Sequence, residues 1–420
     1  MTSAPVEPTV PVPVRERGYA AENVGGWWSD TMRETTPELR WPLSIAVYDN
    51  MRRQDAQVAS VLRAVTSPIQ QTTWRLDPTG CRPEVVAHVA ADLGLPIVGQ
   101  GNDVPAARAR GRFSWHDHLR LALLCLPFGH MYFEQVYRYD NATGLIHLRK
   151  LGPRMHRTIA KINVARDGGL VSIEQATAGL GAGAVTLPVS RLVAYVLDRE
   201  GGDWLGTSLL RPAYKNWLLK DRLLRVQTQT VERNGMGIPW YTAAGTSADE
   251  IEAGEEIAAA VRAGDNAGGS GPAGSKMELL GVVGSLPDAE KPVRYHDEQI
   301  ARAVLAHFLN LGTQTGSWAL GSTLSDFFAV SLNAVGRLVA DTASEHVVED
   351  LVDVNWGTNE PAPRIVFDPI GANEGSVVQA VAVLVNAGVL QSDEALEQFV
   401  RTSLGLPART NTPLPQPQED

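Results

Sequence analysis

The stretch MYFEQVYRYDNATGLIHLRKL (131–151) decides the fold class. Two runs rich in apolar and aromatic residues flank Asp140-Asn141-Ala142-Thr143-Gly144, a glycine-containing turn of the length that hairpins use. An antiparallel hairpin is predicted there. Further strands are expected at 157–164, 170–176 and 191–198, where Ile, Val and Leu alternate with glycine breaks, and a short one at TTWRL (72–76). Upstream, Val47, Met51, Val58, Leu62 and Val65 recur at steps of 4, 7, 4 and 3, one face of a 3.6-residue period. That spacing predicts one helix over 44–66, capped by Ser44 and stopped by Pro68. A second helix opens at Pro83, carries Val86, Val89 and Leu93, and closes at Gly94. Strands that meander beside helices make residues 44–200 an α+β body.

After Gly201-Gly202 the pattern turns helical. Leu210, Ala213, Trp217, Leu224 and Val231 form one stripe over 207–233. An acidic helical segment at 247–263 (Asp249, Glu250, Glu252, Glu255, Glu256) runs into AGDNAGGSGPAGS, and MELLGVV (277–283) reads as a short strand. Ile300, Val304, Phe308 and Leu311 predict a helix over 295–311. GTQTGSWALGST (312–323) breaks it, another helix is expected over 325–354, and a helix pair over 375–403. The Pro/Val-rich residues 1–17 and the Pro-rich residues 407–420 read as mobile ends.

At 420 residues the chain should hold two or three domains, at roughly 150 residues each. With 44% hydrophobic and 20% charged residues it has ample material for a core. The net charge of −10 argues against a dedicated duplex-DNA binder, which needs concentrated Lys and Arg. It leaves room for a surface past which DNA slides. Cys81 and Cys125, the only cysteines, are too few for a disulfide framework and are expected to be small buried hydrophobes. The longest apolar run, Leu121–Phe128, is far short of the ~20 residues of a membrane span, and the amino terminus has no signal-type apolar core. A soluble intracellular protein is expected.

Signatures of chemistry fail one by one. In GGSGPAGSK, Gly269 and Gly274 have the phosphate-loop spacing, but Ser275 precedes Lys276 and Pro272 removes an amide. Gly179, Gly181 and Gly183 read as a flexible strand connection. His116 and His118 are two apart, which suits a strand edge more than a helix face, and His130 reads as a turn residue. The pair His296 and Glu298 lacks the following cysteines of a zinc deaminase. No G-x-S-x-G elbow occurs, and the apolar surroundings of Cys125 raise a thiol pKa. No enzyme and no cofactor or metal are therefore expected. The alternative is a soluble α+β cytosolic enzyme whose site starts from His116, His118 and a nearby carboxylate.

Three stretches in combination carry a resemblance: YDNMRRQDAQVASVLRAVTSPIQQTTWRLDP (48–78), FGHMYFEQVYRYD (128–140) and GTSLLRPAYKNWLLKDRLLRVQTQTVERNGMGIPWYTAAG (206–245). With VAVLVNAGVLQSDEALEQFVRTSLGLP (381–407), they resemble bacteriophage portal proteins of the Mu-like family over about 44–407. The resemblance implies a portal-type α+β fold assembled as a homo-oligomeric ring, usually of twelve subunits, at one capsid vertex. It implies a flexible arm (1–43), a wing (44–245), stem and clip (246–311), a tunnel loop (312–324), a helical crown side (325–406) and a disordered tail (407–420). Gly312, Thr313, Gln314, Thr315, Gly316, Ser317 and Trp318 would face the DNA channel, and Glu252, Glu255, Glu256, Arg262 and Arg302 would lie on the stem. Implied partners are terminase, a head–tail connector or adaptor, the major capsid protein and transient, non-specific double-stranded DNA, with no membrane. Trp27, Trp28, Trp41 and Trp217 are candidate interface aromatics. A minor head-completion adaptor would share these interactions without the channel.

Overall fold

The computed structural model describes residues 34–100, 113–176, 183–261, 270–280, 290–303 and 318–371. The stretch predicted as one helix over 44–66 is two: α1 (Leu43–Gln54) and α2 (Ala56–Gln71). Asp55 leaves the helical backbone (φ −101°, ψ 121°), and its carboxylate accepts the N–H groups of Gln57 and Val58 as the cap of α2. Pro68 does not stop α2. Its carbonyl accepts the Thr72 N–H, and the last turn closes after it.

β1 (Trp74–Asp77) precedes α3 (Pro83–Leu93), which opens on its proline and ends at Gly94 in the left-handed region (φ 66°), as predicted. α4 (Trp115–Ala122) corrects the strand-edge reading of His116 and His118. Ser114 accepts the Asp117 N–H, and Trp115, His118, Leu119 and Ala122 bury one helical face. After α5 (Cys125–Phe128) comes the hairpin of β2 (His130–Asp140) and β3 (Leu145–Arg154), on the turn that was expected. His130 is the first residue of β2 and fully buried, not a turn residue.

β4 (Ile159–Val164), β5 (Leu170–Gln175) and β6 (Val185–Pro188) form one antiparallel sheet, and β7 (Leu192–Val196) joins β2 to complete the order β3-β2-β7. β6 left no periodic signal because only Leu187 of its four residues is buried. Then follow α6 (Tyr214–Met236), β8 (Ile238–Thr242), α7 (Ala248–Ala260), β9 (Lys276–Leu280) and α8 (Glu290–Ala303). The chain continues through α9 (Trp318–Ala343), a π turn (Ser344–Val348), α10 (Glu349–Trp356) and β10 (Arg364–Phe367). The expected helix pair at 375–403, both chain ends and the glycines at 179 and 181 lie outside the described residues.

The main core joins distant parts of the chain. Val61, Ile69 and Leu76 pack with Phe133 and Tyr195, and with Leu332, Val339, Val347, Leu351 and Ile365 from the carboxyl-terminal half. β10 pairs antiparallel with β1, setting Phe367 opposite Trp74, so the second half of the chain completes the core of the first. Truncating a fully buried member such as Leu351 to alanine costs about 2–5 kcal/mol. A second cluster (Ile45, Met51, Val58, Leu210, Ile300) ties α1 and α2 to α6 and α8, and a third (Ile159, Ile173, Leu187) underlies the β4–β6 sheet. Trp41 and Trp217 are partly buried against the second cluster. Cys125 is buried as expected, whereas Cys81 is only half-buried in the turn before α3. Among the described residues no helix is long and apolar enough to cross a membrane.

Candidate functional site

Gly312 to Ser317 and Arg262 lie outside the described residues. Trp318 is the first residue of α9, so that helix starts before the expected position 325. Gly321, Ser322 and Thr323 of ALGST each cost helix propensity of only about 1 kcal/mol or less, too little to keep the chain unwound. The segment 304–317 is thus bracketed by α8 and α9, and both are anchored. Ile300 and Ala301 of α8 are buried, as are Phe328 and Leu332 of α9.

The anchor of α8 is also polar. Its His296 Nδ1 lies 3.0 Å from Asn216 Oδ1 on α6, and Gln57 of α2 donates to the Asp297 carbonyl at 3.4 Å. The Lys220 ammonium on α6 sits 2.9 Å from Asp55 Oδ2 and 2.6 Å from Asp297 Oδ1. Burial pulls the Lys220 pKa down, but the hydrogen bonds its ammonium donates to Asp297 and Asp55 outweigh it, and the pKa is raised. Sequence reading missed this node because its members come from three separate helices and share no local pattern.

α6 packs against α8, whereas α7 lies against β8 of the antiparallel β8–β9 pair. The α7 contact depends on Gly254. A Cβ there would stand 2.7 Å from Tyr241 Cε1 and closer still to Cδ1. Glu252, Glu255 and Glu256 are exposed on the remaining faces of α7. Arg302 lies on α8 with its guanidinium 3.9 Å from Glu298. Lys276, tested above as a phosphate-loop lysine, begins β9 opposite Thr242 and forms an ion pair with Glu278.

The histidines are accounted for structurally. His116 is exposed while His118 is buried with its Nε2 2.7 Å from the Tyr195 hydroxyl, so the two diverge and do not form a site. His88, Asp92 and His147 are the one group of metal-ligating type among the described residues. There Asp92 accepts from His147 Nδ1 (2.7 Å) and from the Leu148 N–H (2.7 Å), while His88 Nε2 meets the Ile146 carbonyl at 3.1 Å. Asn355 of α10 donates to that same carbonyl at 2.8 Å. These bonds lace α3, β3 and α10 together and already engage the groups that would bind a cation.

The family described as "Portal protein of Mu bacteriophage" matches residues 45–406, nearly the whole described body. The chain belongs to that family. It is a portal protein, a component of the phage capsid vertex. Solved structures share its fold at low identity. A chain in the neck of an empty GTA particle computed with C6 symmetry has a TM-score of 0.56 at 12% identity, covering 86% of this chain and 94% of that one. A chain in the neck of a native GTA particle computed with C12 symmetry has a TM-score of 0.54 at 12% identity, over 86% and 93%. A chain in the virion of the native gene transfer agent has 0.53, at 12% identity and the same coverage as the latter. The portal protein therefore keeps its fold while little of its sequence is shared with them.

Proposed function

We propose that copies of this portal protein close into a ring of about twelve subunits, the symmetry of one similar neck, and that double-stranded DNA passes along its axis. The observation that carries this reading is where the chain exposes large apolar side chains. Leu218, Leu224, Val226 and Val231 of α6, with Ile238, Trp240, Ile251 and Leu279 of the adjoining hairpin and helix, are all between 41% and 63% exposed. Exposed apolar side chains gathered along α6 and the β8, α7 and β9 that follow it call for a partner, and a neighbouring copy in a head-to-tail ring supplies one.

The stem would take in α7, with Glu252, Glu255 and Glu256, and α8, with Arg302, and the clip would include β9 between them. The wing would be the α+β body over 44–245. Residues 312–317, between α8 and α9, would reach the channel, and 325–406 would form the crown side. The exposed Glu252, Glu255 and Glu256 of α7, repeated round a ring, would repel phosphates and let DNA move along the axis without sticking. Terminase, a head–tail connector and the major capsid protein are the partners this position requires. The role is structural, with no catalytic step.

Deleting Thr313–Ser317 tests the channel assignment. Heads assembled with the shortened chain should form in normal number and contain little DNA. Heads filled with DNA at the parental level would refute the assignment.

A further inference from the structure

Two sunken carboxylates, Asp49 of α1 and Glu134 of β2, each gather guanidinium groups. Asp49 takes Arg52 at 2.7 Å, Arg53 at 2.9 Å and Arg157 at 2.8 Å. Glu134 takes Arg191 at 3.3 Å and Arg154, whose guanidinium occupies the space left by the missing Cβ of Gly152. The acid side chains are 11% and 16% exposed, whereas Arg53, Arg157 and Arg191 are 68%, 64% and 58% exposed. The carboxylates thus lie behind and the guanidinium groups in front. Arg154 of one node and Arg157 of the other are three residues apart, so their Cα atoms lie within about 11 Å of each other.

We infer that this arginine face is a docking surface for a phosphodiester backbone, with double-stranded DNA as the occupant. Five guanidinium groups share two carboxylates, an excess of positive charge in a chain whose net charge is −10. Each guanidinium carries five N–H donors, and one or two of them satisfy the acid behind it. The remaining N–H groups of the exposed Arg53, Arg157 and Arg191 are of the kind that pairs with phosphate oxygens in bidentate geometry. Arg52 is held further by stacking over Phe128, 5.2 Å from the ring centroid. His156, between the two nodes in sequence, is kept neutral by burial, so arginines alone set the charge of the face. The choice of DNA over an acidic protein rests on the portal reading, which brings duplex DNA to this molecule, and on its unbroken row of charge, one per about 1.7 Å.

The test is fluorescence anisotropy of a labelled 30-base-pair duplex with the full chain, between 50 and 200 mM salt. The double variant Arg53→Gln/Arg157→Gln should bind at least tenfold more weakly at 50 mM and show a salt slope smaller by about 2. Arg225→Gln, an exposed arginine of α6 paired with Asp221, should bind like the parent. Equal duplex affinity for the double variant and the parent would overturn the inference. So would binding of poly-glutamate in place of the duplex, which would assign the face to an acidic protein. Particle mass is read on the same samples. An intact ring with unchanged DNA affinity would sink this inference alone and leave the portal reading standing.

Discussion

Lys220 and Asp55 form an ion pair of 2.9 Å at a point where both side chains are nearly closed off from solvent, 10% and 8% exposed. Asp297 shares the ammonium, so three helices, α2, α6 and α8, meet on one positive charge. Lys220→Ala leaves two carboxylates facing each other without a counter-charge. It should lower unfolding stability by about 3 kcal/mol, read as a drop in the urea midpoint. Because the folded-state pKa is raised, the pair's contribution is fully present below about pH 10.5 and fades only in more alkaline solution. A loss below 0.5 kcal/mol would mean that the node does not hold the stem.

Gly254 and Tyr241 predict a local effect. Gly254→Ala forces the tyrosine ring from its place and lifts α7 from the β8–β9 hairpin. Hydrogen exchange should accelerate across 238–242 and 248–260 by at least tenfold, with 43–77 unchanged. Uniform protection in both regions would show that the contact is dispensable.

Acid should loosen the core around the buried histidines as the pH falls below about 6.5. Burial pushes His118 down to about 3, His130 to about 4 and His156 to about 3, so all three are neutral when folded. The unfolded chain protonates them near 6.5, so it binds more protons than the native state below that pH. Stability should therefore fall as pH drops from about 6.5 towards 4, by up to about 1.4 kcal/mol per pH unit for each histidine. Urea midpoints at pH 7.5, 6 and 5 check this. The double variant His118→Gln/His130→Gln should flatten the curve in this window. A midpoint that is flat from pH 7.5 to 5 in the parent would contradict the burial argument.

The hairpin at 131–151 was legible because turn and strands are local, and so were Pro83 and Gly94 at the ends of α3. The split at Asp55 was not, since an aspartate inside an apolar stripe breaks a helix only when its carboxylate turns back to cap the next one. β10 was invisible for another reason. Its four residues pair with β1, and the Arg75–Asp368 ion pair that closes that ladder spans 293 residues. That α9 begins as early as Trp318 could not be read, because the small residues of 319–323 looked like a break. The arginine face could not be read either, because Asp49 and Arg157 meet across 108 residues.

The most direct test of the ring is the mass of the purified full chain by light scattering, with negative-stain images of the same sample. The account predicts a particle of about twelve subunit masses, each 45.3 kDa, with a hole on its axis. A chain that remains monomeric or dimeric at tens of micromolar, with no ring in the images, would contradict it.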